Sequence, residues 1–121
     1  METIEIGTRN FTRVAAEEKT GKDGTHHDYC ISRVDIDNNT MAGEFGHVHF
    51  QDGPIKEVGV NGCHHEDLLA IVIHRLQSYQ AGKFKCRENA MVITKLEEAM
   101  HWLKHRTEAR QNRSVEGTSQ I

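Results

Sequence analysis

Three side chains that could hold a planar ring lie close together at a predicted corner of the chain. The segment YQAGKFKCRENA, residues 79–90, contains the rings of Tyr79 and Phe84 and the amide of Asn89. Proteins recognise a nucleobase by stacking it on an aromatic ring and hydrogen-bonding its edge. The same residues have plainer uses, because the two rings could close a core and Asn89 could cap a helix. Arg75 and Arg87 are further candidates nearby.

A stripe of arginines continues the apolar stripe of the helix predicted after this corner. The apolar stripe ends at Leu103, and steps of three and four residues lead from there to Arg106, Arg110 and Arg113. Residues at this spacing are neighbours on a helix surface. The planar guanidinium fork suits phosphate oxygens. The alternative is a solvated helix end, where the helix dipole favours arginine.

The corner and the arginine stripe are far apart in one chain. At 1.5 Å per residue, Asn89 and Arg106 are separated by about 25 Å along the helix. One chain therefore cannot hold one small ligand with both. An antiparallel dimer would bring the arginines of one copy to the corner of the other.

Histidine is frequent, with nine in the chain. His47 and His49 share a face of a predicted strand and could bind zinc together with Cys63 or His64. The sequence has no C-x-x-C, no H-E-x-x-H, no glycine-rich phosphate loop and no recognisable spacing of nucleophile and base. We therefore expect no metal, no cofactor and no catalytic residues.

Length and composition predict a single domain over residues 1–121. The chain has 36% hydrophobic residues and a formal charge of −3, and this charge argues against binding to long nucleic acid. Three widely spaced cysteines indicate reduced thiols in a cytoplasm. The N-terminal segment lacks an apolar signal core, and no apolar run reaches the roughly 18 residues of a membrane span.

The period of the apolar residues changes near Gly59. Residues 1–59 alternate with a period of two and predict an antiparallel meander with strands in TIEI, FTRVAAEE, DYCISRVDI, HVHFQ and IKEVGV. The intervening TGKDG, DNNTMAGEFG and DGP read as turns. The alternation breaks at Ser32-Arg33, which predicts a bulge or register shift there.

Residues 60–113 predict an antiparallel two-helix hairpin, so the fold class is α+β. The first helix should run from about Cys63 to Ala81, with Asn61 as its N-cap and Gly82 as a left-handed C-terminal cap. The second should begin near Arg87 and continue to Arg113. Residues 114–121 would form a tail.

A set of short motifs links residues 50–118 to a known family. The motifs are FQ-x-GP, GVNG, E-x-LL, RL-x-x-YQ-x-G-x-F-x-C-x-EN, RT-x-x-R and VEGT. Together they resemble the helical-hairpin domain shared by the phage Thoeris anti-defence sponges and the anti-CBASS cyclic-oligonucleotide sponges. The β-rich first half is more similar to the Thoeris type, which places a sheet before the hairpin, whereas the anti-CBASS type is nearly all helical.

This resemblance implies a non-enzymatic sponge acting in the cytoplasm of an infected bacterium. Such a sponge binds a nucleotide signal made by an immune sensor, such as a glycosyl-cyclic ADP-ribose isomer, and forms dimers that assemble into hexamers. Cyclic di- or trinucleotides are implied as a second ligand class at a separate site.

The resemblance also implies roles for the matching residues. Tyr79 would stack on the adenine or lie beside it, Asn89 would hydrogen-bond the ligand, and Arg106 would bind the diphosphate. Phe84 would shape the pocket wall, the two later arginines of the stripe would add positive charge, and the tail could fold back over the site. The alternatives are a sponge for cyclic oligonucleotides alone, a zinc-binding protein, a nucleotide-cleaving enzyme and a purely structural phage protein.

Overall fold

A computed structural model describes residues 2–114 and 117–118 and divides the chain into two compact units, Met1–Cys63 and His64–Ile121. The first unit contains a four-stranded antiparallel sheet of strand order β1-β2-β3-β4, and the second contains two long helices. The elements are β1 (Glu2–Thr3), β2 (Thr12–Ala16), β3 (Asp28–Asp35), β4 (Thr40–His49), α1 (Ile55–Val58), α2 (His65–Gln80) and α3 (Arg87–Asn112). The predicted α+β class, a sheet followed by a helix pair, is confirmed.

Small residues on the central strands form the buried centre of the sheet unit. Ala15 and Ala16 of β2 and Cys30 and Val34 of β3 are buried. Buried and exposed positions alternate along β3, as expected for a strand with one covered face. The register between β3 and β4 shifts on both sides of Ser32, which confirms the irregularity predicted at Ser32-Arg33.

The turn between β3 and β4 is shorter than the sequence suggested. We predicted a turn over DNNTMAGEFG, but β4 begins at Thr40 and includes most of this segment. Asn39 adopts a φ of 52° and reverses the chain there, while the Asp35 carboxylate accepts a hydrogen bond of 2.8 Å from Asn38 Nδ2. Two adjacent asparagines thus complete the reversal before Thr40, because Asn tolerates the left-handed conformation.

The strand predicted in IKEVGV is wrong. Residues Ile55–Val58 form the single helical turn α1. Pro54, with a φ of −68°, directly precedes this turn, and a proline ring sets the φ that a helix start needs. Gly59 ends the turn at a φ of 76°, a value that favours glycine.

A parallel bridge between Phe50 and Cys63 joins two backbone segments of the sheet unit. Cys63 donates its backbone N–H to the His49 carbonyl at 2.8 Å, and Gln51 donates to the Cys63 carbonyl at 2.9 Å. The Asn61 side chain accepts a hydrogen bond from the Asp52 backbone N–H at 2.8 Å. Asn61 therefore bonds to the segment on the other side of this bridge, and its predicted role as a helix cap is wrong.

The two long helices lie close to their predicted limits. The helix α2 begins after His64, whose backbone N–H donates to the Asp67 carboxylate at 2.8 Å. At its other end Gly82 does not take the predicted left-handed conformation. Instead Gly82 N–H donates to the Tyr79 carbonyl at 3.1 Å, so the last turn tightens and the chain leaves the helix without a left-handed residue.

The helices pack against each other, and both are only partly covered. The apolar stripes of the two helices, which include Leu76 of α2 and Leu96 of α3, are half-buried at most positions, whereas Val72 of α2 is 45% exposed. With six residues between α2 and α3, the connection is short enough to require antiparallel neighbours. At 1.5 Å per residue α3 is about 39 Å long and α2 about 24 Å, so α3 extends beyond its partner.

Gly62 is predicted to be required for the fold. A Cβ atom placed on Gly62 would lie 2.5 Å from the Phe50 carbonyl carbon and 2.7 Å from the Gln51 backbone nitrogen. Because these are backbone atoms, Gly62→Ala should lower the free energy of unfolding by about 1–3 kcal/mol in urea titrations. Gly46→Ala is the control, since a Cβ there would meet nothing within 4 Å. Equal stability of the two variants would contradict the close approach of Gly62 to the backbone of Phe50 and Gln51.

Candidate functional site

The corner between α2 and α3 contains a recess lined by aromatic and cationic side chains. Its volume is about 300 Å³, and it is lined by Arg75, Ser78, Tyr79, Gly82 and Phe84. This volume lies at the lower end of the range typical of small-molecule sites, about 300–1,000 Å³. Two of the predicted site residues, Tyr79 and Phe84, therefore face one cavity.

Tyr79 is held in place from two sides. The Arg75 guanidinium carbon lies 5.4 Å from the centre of the Tyr79 ring, and Arg75 Nη2 donates to the Tyr79 hydroxyl at 3.0 Å. The spacing of four residues on α2 places these side chains next to each other. Phe84 meets the Tyr79 ring edge-on, with a centre-to-centre distance of 5.9 Å. The ring is thus oriented by the protein itself.

Two further polar side chains, Asn89 and Lys83, lie next to Phe84. Asn89 Nδ2 donates to the Phe84 carbonyl at 3.4 Å, a long hydrogen bond that ties the first turn of α3 to the loop. Asn89 does not line the recess, but this contact places it beside Phe84. The Lys83 ammonium lies 5.3 Å from the centre of the Phe84 ring. The exposed surface of Phe84, 62% of its reference value, is therefore next to positive charge.

The three arginines of the predicted stripe differ in their surroundings. Arg106 and Arg113 are exposed, whereas Arg110 is buried, with 8% exposure. Arg110 Nη2 donates to the Thr118 carbonyl at 3.1 Å. Arg110 therefore holds part of the segment after α3, whereas the other two arginines of the stripe stay exposed. The predicted fold-back of VEGT over the site includes residues 115 and 116, which lie outside the described residues.

The helix α3 separates the recess from the exposed arginines. Asn89 and Arg106 both belong to α3, and their separation of 17 positions corresponds to about 25 Å. The structure therefore brings Tyr79, Phe84 and Asn89 together and keeps Arg106 and Arg113 apart from them within one chain.

Comparison with known proteins gives this hairpin a family. Residues 45–108 match the family model described as Acb2/Tad1, hairpin domain. The chain belongs to the Acb2/Tad1 hairpin family. A curated relative, Thoeris anti-defense 1 of Bacillus phage SBSphiJ7, is 58% identical over 78 residues, which cover 64% of this chain and 55% of the relative. The chain thus spans little more than half the length of this relative. The resemblance predicted from the sequence motifs is confirmed.

The residues matched to the Acb2/Tad1 hairpin include the recess and Arg106, but they end before Arg110 and Arg113. Arg75 is the residue that sequence reasoning ranked too low, since it lines the recess and contacts Tyr79 by both ring and hydroxyl. The available signal was its spacing of four residues from Tyr79. Arg87, the other secondary candidate, does not line the recess.

Two histidines of the sheet unit bind a carboxylate. His49 Nδ1 and His47 Nε2 lie 2.7 and 3.1 Å from the same Asp28 oxygen. Among the described residues, no group of three or more His, Cys, Asp or Glu side chains is arranged to hold a metal ion. The histidine pair therefore connects β3 to β4 through Asp28.

The described part of the chain contains no helix with the length and apolar character of a membrane span.

Asp28 should make the stability of the sheet depend on acid pH. The hydrogen bond from His49, with a second from His47, holds the pKa of Asp28 below its usual value. A lowered folded-state pKa stabilises the fold above the unfolded value of about 4 and loses this contribution as pH falls through the folded value. In thermal melts from neutral to acid pH, Asp28→Asn should therefore show a smaller loss of Tm below about pH 4 than the parent chain.

The control for this experiment is Asp37→Asn, in the exposed turn between β3 and β4. It removes one carboxylate without breaking a histidine contact, so its pH profile should follow that of the parent. Parallel profiles for the parent and Asp28→Asn would show that the histidine contacts do not stabilise the fold.

Proposed function

We propose that this chain is a phage anti-defence sponge, which binds a small nucleotide immune signal and keeps it from its effector without cleaving it. The ligand class is a glycosyl-cyclic ADP-ribose isomer, held in the cytoplasm of the infected host. The observation that carries the proposal is the recess at the hairpin corner, where the oriented ring of Tyr79 faces an exposed Phe84 beside two cationic side chains. Membership of the Acb2/Tad1 hairpin family and the relative named Thoeris anti-defense 1 support it.

The recess suits the base of such a ligand. A purine has two apolar faces and a polar edge, and it needs a ring to stack on and an amide within reach. Tyr79 offers a ring whose position Arg75 fixes before binding, so little ordering is required when the ligand arrives. Asn89 lies at the rim through its contact with the Phe84 carbonyl and offers donor and acceptor groups on one side chain.

The proposed contact to the diphosphate uses Arg106, which one copy does not place at its own recess. Arg75 and Lys83 lie near the rings, while the exposed guanidiniums of Arg106 and Arg113 lie at the other end of α3. We place Arg106 of a second copy at the recess in an antiparallel dimer, with hexamers formed from such dimers. The half-exposed apolar stripes of α2 and α3 give the helices a further reason to pair, because a second copy would cover them.

The lining of the recess favours binding over cleavage. Its five described lining residues include no carboxylate, imidazole or thiol that could act as a base. A sponge must bind its signal below the concentration that activates the effector, and nanomolar affinity corresponds to about −12 kcal/mol. A ligand of dinucleotide size needs an enclosed pocket for that, and sharing the site between two copies would provide the enclosure. Cyclic di- or trinucleotides at a separate site remain a prediction without assigned residues.

Loss of either half of the proposed site should weaken binding. In calorimetry with a glycosyl-cyclic ADP-ribose isomer, Tyr79→Ala and Arg106→Ala should each raise the Kd by more than about tenfold, because each removes a whole contact to base or phosphate. Tyr79→Phe should retain most of the affinity, since the ring remains. The matched control is Lys104→Ala, which removes an exposed cation from another position of α3. Binding by Arg106→Ala within about twofold of the parent would contradict the assignment.

A mixture of the two defective variants tests the sharing of the site between copies. A mixed dimer has one site that combines the intact Tyr79 of one copy with the intact Arg106 of the other. Mixing Tyr79→Ala with Arg106→Ala should therefore restore high-affinity binding in part of the sample. If binding is not restored although mass spectrometry shows that the subunits exchange, the site is not shared between copies.

A further inference from the structure

A second cavity with arginine side chains lies in the sheet unit. Its volume is about 330 Å³, and it forms where the segment entering β2 meets the turn between β3 and β4. The lining residues are Arg9, Asn10, Phe11, Arg13, Val34, Ile36 and Asn39. The cavity thus combines two guanidinium groups, two amides and three apolar side chains, and its described lining contains no carboxylate.

The guanidinium of Arg13 is fixed by its neighbours. Arg13 Nε donates to the Arg9 carbonyl at 3.1 Å, and Arg13 Nη2 donates to Asn39 Oδ1 at 2.7 Å. Both of these neighbours have left-handed backbones, with φ values of 59° for Arg9 and 52° for Asn39. Such conformations cost free energy in residues other than glycine and persist where the surrounding structure requires them. Here they position the two arginines.

The guanidinium of Arg9 has an unused buried donor. Arg9 Nη1 donates to the Glu5 carboxylate at 2.9 Å, but Arg9 Nε is buried and has no acceptor among the described residues. A buried donor without a partner lowers the stability of the fold. Arg9 lines the cavity and its side chain is 41% exposed, so its guanidinium group is accessible to an anion there. The ion pair with Glu5, whose side chain is 84% exposed, is of the weak surface type and would compete little.

Two of the three apolar side chains of the cavity are exposed. Phe11 is 74% exposed and Ile36 is 69% exposed, although both belong to residue types that normally avoid water. Val34 at the base is buried. A ligand with an anionic group and an apolar ring would satisfy the donors of Arg9 and Arg13 and cover Phe11 and Ile36 at the same time.

We propose that this cavity binds a small organic anion in which a phosphate or carboxylate group is attached to an apolar ring. The anionic group would accept hydrogen bonds from Arg9 and Arg13, and the ring would lie on Phe11 and Ile36. This site belongs to the sheet unit and is distinct from the recess at the hairpin corner. Binding there does not depend on the nucleotide function proposed for the hairpin.

The test uses the full chain and two defined probes. Phenyl phosphate and benzoate are titrated into isotope-labelled protein, and NMR shifts are followed at the Arg9 Nε–Hε group and at the amides of Phe11 and Ile36. At least one probe should bind saturably with a Kd below about 1 mM, and the two together identify which anionic group is preferred. Inorganic phosphate and phenol, which each supply half of the ligand, should bind at least about tenfold more weakly.

Variants separate this cavity from other arginines. Arg9→Gln and Phe11→Ala should each weaken binding at least about tenfold, whereas Arg33→Gln, an exposed arginine on β3 outside the cavity, should have no effect. Tyr79→Ala should also leave binding unchanged, which excludes the hairpin recess as the source of the signal. Unperturbed amide spectra outside the cavity show that each variant is folded.

Three results would overturn the proposal. The first is the absence of saturable shifts at the cavity with either ring-bearing probe. The second is equal binding of inorganic phosphate or phenol, since the cavity would then not recognise the combined ligand. The third is an equal loss of binding in Arg33→Gln, because the shifts would then reflect general attraction of anions to surface arginines.

Discussion

The length of α3 is the constraint on which the proposed function depends. A continuous helix of 26 residues fixes the distance between its first and last turns, and no rotation of side chains can shorten about 25 Å to the reach of one small ligand. The aromatic recess at one end and the exposed Arg106 toward the other therefore belong to different binding events or to one site shared by two copies. The partly covered apolar stripes of both helices favour the second arrangement, because pairing would remove them from water.

The recess is formed by the end of α2 and the short connection that follows it. Arg75 and Tyr79 lie one helical turn apart, so the last part of α2 orients the ring before the chain turns. The tight turn at Gly82 then returns Phe84 against that ring. The side chains that pack together at this corner are the ones proposed to recognise the ligand, which explains why each residue, taken alone, looks like an ordinary corner residue.

The sequence predicted long, periodic elements better than local backbone geometry. The 3.6-residue period located both helices to within about two residues at each end, and broken alternation located the shift at Ser32. Two of the errors lie where one residue has two uses. Asn61 and Gly82 both match the residue preferences of helix caps. Asn61 instead accepts a hydrogen bond from the backbone of Asp52, and Gly82 ends α2 in a tightened turn.

The candidate site likewise combines features that the sequence predicts with features that depend on local backbone geometry. Tyr79, Phe84 and Asn89 were singled out because their types and spacing suggest base recognition, and the structure places them together. Periodicity also suggested that Arg110 would join Arg106 on an open face, but it could not show that residues beyond the helix return to accept a hydrogen bond from Arg110. The cavity beside Arg9 and Arg13 was not foreseen, since it depends on left-handed backbones at Arg9 and Asn39.

The central claim is that the protein holds an intact nucleotide signal. The most direct measurement is to incubate purified protein with lysate of cells in which Thoeris has been activated, wash it, denature it by heat and identify the released molecule by mass spectrometry. The account predicts recovery of an intact cyclic ADP-ribose isomer, which would be lost with the Tyr79→Ala variant. Recovery of nothing while the signal persists in the lysate would contradict binding, and conversion of the signal to products would show an enzyme instead of a sponge.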